Sequence, residues 1–312
     1  MATDYVMFVH GVNTRDIREN PKYAEGLITK LKERKTNNQR QLIPVPLYWG
    51  NVNQEAEEQL LKTMESSPKW DKMWFREFRS HQLLQFIGDA ALYISRFIGS
   101  NVVKQLKTDG LGVIKNVQPD DRLHLVTHSW GTVILLDVLF APRWNYENVP
   151  GHEDVMDIRD KFFGITGVSN TGQRTDTTHK GIILDSIHTM GSPIPFFNLT
   201  NITGSSSDIS DNLQKLLTNL YHKTGKSLPW RNYIHPGDPV AYPIKELMQD
   251  LIKGTDSNCL DIDDILTGEA GLLDIILDPF SQSTLALLHG GEAHGSYWNS
   301  DRVADKISHY LQ

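Results

Sequence analysis

One cysteine, Cys259, stands in the whole chain, so no intrachain disulfide can form and a reducing compartment is expected. It lies in no CxxC or metal-ligand spacing and reads as a small buried side chain. No run of about 18 apolar residues occurs, so no membrane-spanning helix is expected. The chain opens Met-Ala-Thr-Asp and passes straight into an apolar run, without the basic region or long apolar stretch of a secretory signal. A cytoplasmic location is therefore expected, and the sequons at Asn198 and Asn201 read as chance. A basic excess is also lacking: the net charge of -7 argues against a nucleic-acid partner. No HExxH and no cluster of His and carboxylates at ligand spacing is present, so no metal and no cofactor is expected. Thr224-Gly225-Lys226-Ser227 has the tail of a P-loop, but Leu220 stands where its leading glycine belongs.

What is present is an ordinary globular composition, 39% hydrophobic and 22% charged, over 312 residues. Short apolar runs recur at Tyr5–Val9, Leu42–Tyr48, Arg122–Thr127, Ile182–Ile187 and Arg231–Ile234. Helical patterns separate them, over 21–35, 54–66, 74–97, 132–140 and 300–311. Strands alternating with helices predict an α/β fold with a mainly parallel sheet. Pro44 and Pro46 suit an edge strand. With no linker or repeat in view, the chain 1–312 reads as one domain. Two stretches exceed a minimal sheet sandwich, about 51–105 and 243–288. Both read as helical insertions and candidates for a lid or cap.

The strongest local signal is Thr127-His128-Ser129-Trp130-Gly131, between an apolar run and a helical one. The nucleophile-elbow pattern G-x-S-x-G needs that context, because a tight turn lifts the serine hydroxyl to the strand end beside a helix N-terminus. Gly131 keeps the second glycine, and Thr127 replaces the first. His10-Gly11-Val12 closes the first run; Gly11 permits a tight turn, and the Val12 and Trp130 amides can point at one oxyanion. A serine nucleophile needs a histidine and an acid to orient it, and in a fold built on such an elbow the chain order is Ser, then Asp or Glu, then His. Asp238, in the Pro-Gly turn after the fifth run, is the candidate acid, with Asp185 as rival. His294, before the last helical run, is the candidate base, with His289 and then His235 as rivals among 12 histidines. His128 and His188 read as structural neighbours.

These segments resemble the α/β-hydrolases of the lipase and esterase kind, including intracellular phospholipase-like members. Ser129-Trp130-Gly131-Thr132-Val133-Ile134 with Asp137-Val138-Leu139 resembles their HSLGSVIAYDVL pattern. Thr189-Met190-Gly191-Ser192-Pro193-Ile194 resembles their GSP strand end. Trp230-Arg231-Asn232-Tyr233 through Asp238-Pro239-Val240-Ala241 resembles their acid-bearing segment. His294-Gly295-Ser296-Tyr297-Trp298 resembles their base-bearing H-x-x-Y-W segment. The departures are Thr127 for glycine and the bulky Trp130, which bears on the size of the acyl pocket. The resemblance implies catalytic Ser129, Asp238 and His294, oxyanion donors at Val12 and Trp130, and a supporting turn of His10, Gly11 and Gly131. It implies a small-molecule or lipid ester as substrate and hydrolysis through an acyl-enzyme. A thioesterase or acyltransferase would carry the same triad. A silent fold used as an interaction module is the alternative of another class. Membrane-surface association is not indicated.

Overall fold

Six parallel strands form the sheet, in the order β2-β1-β3-β4-β5-β6. They are β1 (Ala2–Val9), β2 (Arg40–Leu47), β3 (Arg122–His128), β4 (Ile183–Met190), β5 (Leu228–Ile234) and β6 (Leu260–Leu266). The computed structural model describes all residues except 13, 37–38, 78–79, 81–83, 85–88, 90–92, 94–95, 166–180, 196–208, 269–290 and 312. His289, Asn198 and Asn201 lie outside the described residues.

Inner strands of a parallel sheet are covered on both faces, which is why β1 and β3 are buried almost throughout instead of alternating. The sheet is accompanied by helices α1 (Glu25–Arg34), α2 (Gln54–Glu65), α3 (Arg96–Val113), α4 (Trp130–Phe140), α5 (His152–Arg159), α6 (Ser210–Thr224), α7 (Lys245–Leu251) and α8 (Asp301–Ser308), with short 3₁₀ turns between elements. One core joins the sheet to α4, α5 and α6 through Val9, Leu125, Ile134, Leu139, Val155 and Leu216. The other joins it to α1 and α8 through Phe8, Leu27, Val126, Val303 and Ile307. Ser300 caps α8, its hydroxyl accepting from Val303 N at 3.3 Å. The prolines of β2 do lie on an edge strand.

Two expectations change. The stretch 243–288 is not only helical: Leu260–Leu266 pairs in register with β5 and forms the far edge of the sheet. The helix expected over 74–97 does not begin at Trp74; Trp74 and Phe75 are exposed and non-helical, and much of that stretch lies outside the described residues. Residues 96–113 form α3 instead, packed on β2 and α5.

A buried polar chain crosses the α1/α8 face. His124 Nδ1 meets Ser186 Oγ at 2.7 Å, Ser186 Oγ meets His188 Nε2 at 2.9 Å, and His188 Nδ1 meets Tyr233 OH at 3.1 Å. Mutual pairing is what makes such groups tolerable in a core, and it gives His188 the structural part read from the sequence.

The segment after β1 is tied to α2 by charge. Arg15 donates to Glu57 Oε2 at 2.5 Å and to Asp89 Oδ2 at 3.1 Å, and Asn53 Nδ2 donates to Asp89 Oδ1 at 3.1 Å. Two buried carboxylates thus share one guanidinium. Burial raises the Glu57 carboxyl, Arg15 opposes that and Asp89 adds to it, leaving Glu57 at about 7 against an ordinary 4.5. An acid whose folded value is raised binds its proton more tightly when folded, so its contribution is full below about pH 4.5 and is lost as pH rises through 7. Buried neutral histidines such as His10 contribute the opposite slope, so the Glu57 contribution is read as a difference between proteins. From pH 4.5 to 7 the melting temperature of Glu57→Gln should gain about 2–6 °C relative to the native protein in thermal melts at closely spaced pH. Equal slopes in the two proteins would refute the assignment.

Candidate active site

In an open α/β sheet, ligands gather at the carboxyl ends of the strands, where the order reverses. Here that point lies between β1, which leads into β2 on one side, and β3, which leads to β4 on the other. His10-Gly11-Val12 leaves the end of β1, and Ser129 follows the end of β3.

Ser129 has φ 53° and ψ -131°, a conformation that costs a non-glycine residue about 1–3 kcal/mol and persists only where its surroundings hold it. The surroundings do. Ser129 N donates to Met190 O at 2.9 Å, and Thr132 N donates to Ser129 O at 3.0 Å as α4 begins. A β-carbon on Gly131 would overlap His10 O and lie 2.7 Å from Val9 O, so only glycine lets α4 start against β1. A β-carbon on Gly11 would come within 2.6 Å of Ser129 Cβ, so the backbone at Gly11 touches the serine side chain. Thr127 is no weakness in the elbow: its buried hydroxyl bonds that of Thr132 at 2.7 Å and braces the turn from strand to helix.

The ring of His10 fixes the loop that carries Val12. Trp49 N donates to His10 Nε2 at 3.0 Å, so the proton must sit on Nδ1, which donates to Gly11 O at 2.6 Å. Burial lowers His10 to about 4, so this neutral tautomer holds at neutral pH. In a trans peptide the carbonyl and the following N–H point opposite ways. Clamping Gly11 O on one side therefore turns Val12 N–H to the other. Among the described residues the buried Trp130 indole nitrogen, beside Ser129 in sequence, has no hydrogen-bond partner.

Asp238 and His294 meet. His294 Nδ1 lies 2.9 Å from Asp238 Oδ2, Tyr297 OH donates to that same oxygen at 2.8 Å, and Val240 N donates to Oδ1 at 2.9 Å. Burial would raise the Asp238 carboxyl, but the hydrogen bond and charge of His294 with the other donors hold it below its ordinary value, so it is ionised at neutral pH. His294 does not sit on a loop: residues 291–295 are helical and run into a 3₁₀ turn at Ser296–Asn299.

Gly191 joins the two halves. A β-carbon there would lie 2.7 Å from Asp238 Oδ2 and 3.1 Å from His294 Nδ1, while the carbonyl just before it receives the Ser129 amide. The aspartate–histidine pair and the serine backbone thus flank Met190–Gly191. His128, read from the sequence as a neighbour, has a definite part. Its Nε2–H donates to His294 O at 2.6 Å, and the two rings lie 4.5 Å apart. Burial, and next the proximity of His294, push His128 down to about 3, so it adds no charge beside His294 at neutral pH.

Of the rivals, His289 lies outside the described residues and the other two turn elsewhere. Asp185 faces Arg122 at 3.7 Å near the amino end of β4. The ring of His235 turns back to accept from Gly237 N at 3.1 Å. The parts played by Gly191, His128 and Tyr297 were not read from the sequence. The spacing of Tyr297 three residues after His294 was the available signal, since it puts both on one side of a helical turn.

A parallel sheet with its order reversed beside a strained serine at a strand-to-helix turn defines the α/β-hydrolase fold. No family model matches the chain, and no curated protein matches it. Among solved structures it is similar to a putative cell surface hydrolase from Lactobacillus plantarum, at 11% identity and TM-score 0.34, over 92% of this chain and 90% of that one. It is similar to an inhibited esterase B from Lactobacillus rhamnosis, at 10% identity and TM-score 0.33, over 98% and 78%. A third is the RedJ thioesterase of prodiginine biosynthesis from Streptomyces coelicolor, at 13% identity and TM-score 0.28, over 93% and 89%. The fold follows from the sheet and the elbow, and these likenesses carry nothing about activity.

Proposed function

We propose that the protein is a serine hydrolase of carboxylic esters, acting through an acyl-enzyme on Ser129. The observation that carries this reading is the strained Ser129 backbone held against Met190–Gly191, with the Asp238–His294 pair in contact with the same glycine. An unreactive serine gives no return on a backbone conformation of that cost.

Ser129 Oγ attacks the ester carbonyl while its proton passes to His294 Nε2, the ring nitrogen left free by the Asp238 bond. The Val12 and Trp130 amides receive the charge on the carbonyl oxygen; one such donor typically contributes about 2.7–4 kcal/mol. The carbon–oxygen bond to the alcohol breaks, and the alcohol leaves with the proton held by His294. Water then attacks the acyl-enzyme, gives a proton to His294 and releases the acid, and the proton returns to Ser129. Asp238 holds the tautomer and stabilises the imidazolium in each half.

The test is covalent labelling by a fluorophosphonate read by intact mass, with p-nitrophenyl esters of rising chain length as substrates. A single adduct that disappears in Ser129→Ala supports the reading, and the chain-length profile sizes the acyl pocket. A folded protein that takes no label and cleaves no ester would overturn it in favour of an interaction module.

A further inference from the structure

Asp238 Oδ2 receives two hydrogen bonds, from His294 Nδ1 at 2.9 Å and from Tyr297 OH at 2.8 Å. The direction of the second is settled by its surroundings. His235 N donates to Tyr297 OH at 2.8 Å, so the phenol oxygen accepts from the backbone and its own proton goes to the carboxylate. Tyr297 is fully buried and lies three residues after His294. It packs in the core between the sheet and helices α1 and α8.

We propose that Tyr297 is a positioning residue for the reaction: by sharing Asp238 Oδ2 with His294 it orients the carboxylate and limits its grip on the imidazole. The proposal rests on the triad reading above. Its physical basis is competition for one oxygen. A carboxylate oxygen that already takes a strong O–H donor is a weaker acceptor and a weaker counter-charge for a second. The tyrosine donor is strengthened in turn, because the His235 amide polarises it. The other oxygen is occupied by Val240 N, so the carboxylate cannot rotate away to escape the competition.

The consequence is a ceiling on imidazolium stability. With the tyrosine gone, the whole acceptor strength of Asp238 Oδ2 would fall on the imidazole and favour its protonated form. Among the described residues, the ionisable and polar groups recorded against the pair are Tyr297, the neutral His128 ring, the Val240 amide and, through the Tyr297 hydroxyl, the His235 amide. Burial keeps His128 at about 3, so it does not titrate in the window concerned. Removing the Tyr297 hydroxyl should therefore move the acidic limb of activity to higher pH, and strengthening the hydroxyl as a donor should move it lower.

The experiment is the pH profile of kcat/KM for a p-nitrophenyl ester with the wild type, Tyr297→Phe and Tyr297→3-fluorotyrosine, with His294→Ala alongside. In Tyr297→Phe the acidic limb should rise by about half to one pH unit. Plateau kcat should fall about 3- to 30-fold as the carboxylate loses its orientation, with KM within about twofold. The fluorinated ring keeps the shape and acidifies the hydroxyl, so its limb should move the other way; it also serves if the phenylalanine variant does not fold. A role in packing alone would lower the melting temperature and leave both limbs where they are, and that result overturns the proposal while His294→Ala remains inactive. Full activity in His294→Ala overturns the triad reading and this proposal with it.

Discussion

Replacing His294 by Ala should lower kcat for a p-nitrophenyl ester by about 10⁴- to 10⁶-fold, with KM little changed. The reason lies in what is left. Without the imidazole, Ser129 must lose its proton to water, and the alcohol must leave without an acid to protonate it. The fold should be spared, with a melting temperature within a few degrees of the native one. Asp238 would keep the Tyr297 and Val240 donors, so removing the ring leaves no orphaned buried carboxylate. Stopped-flow or plate-reader kinetics beside a thermal melt separate the two effects. Activity at the native level would move the base elsewhere, first to His289.

The rest of the site is set up before any substrate arrives. His10 is held between Trp49, which stacks on its ring at 5.1 Å, and the Gly11 carbonyl, so the turn that carries the proposed Val12 donor is fixed within the fold. His128 holds the backbone of His294, and Asp238 its ring. Each of these groups is fixed by neighbours in the sheet core. That is the condition under which oriented dipoles stabilise charge without paying for reorganisation. Arg15, a few residues beyond Val12, ties the same loop to α2 through Glu57, so the first insertion braces the segment that leaves β1.

Five strands were legible because their apolar runs are bounded by turns and separated by helical patterns. β6 was not. Its sequence, Leu-Asp-Ile-Asp-Asp-Ile-Leu, carries three aspartates, poor strand formers that an exposed edge nevertheless tolerates. One of them, Asp264, serves a purpose no local pattern shows: its carboxylate accepts from Asn232 Nδ2 at 2.7 Å and from the amides of Ile244 and Lys245, where α7 begins. The meeting of Asp238 with His294 was legible from chain order and turn context. The competition of Tyr297 for the same oxygen was not, since it depends on which carboxylate oxygen faces which donor. The fitness of Thr127 was hidden likewise, because its partner hydroxyl on Thr132 becomes one only when the elbow has closed.

Gly191→Ala should damage catalysis more than folding. The residue has φ 56°, where alanine is strained by about 1 kcal/mol, and that strain alone would lower the melting temperature by a few degrees. The new methyl has a more specific effect. It would sit 2.7 Å from Asp238 Oδ2, 2.9 Å from Tyr297 Cε2 and 3.1 Å from His294 Nδ1, between the carboxylate and both of its side-chain donors. None of the three can retreat freely: Asp238 is held by Val240 N, Tyr297 is fixed in the core, and the His294 backbone is held by His128. The least resisted movement is rotation of the imidazole away from Asp238, which breaks the bond that fixes its tautomer. Misplacement on that scale costs catalysis heavily, so kcat should fall about 10²- to 10⁴-fold. Fluorophosphonate labelling should slow in parallel, since it draws on the same activated serine. The acidic limb should also blur or shift as the pairing with Asp238 weakens. If kcat stays within about threefold of native while the melting temperature falls, strain is the whole effect, and Gly191 is a turn residue with no hold on the aspartate–histidine pair.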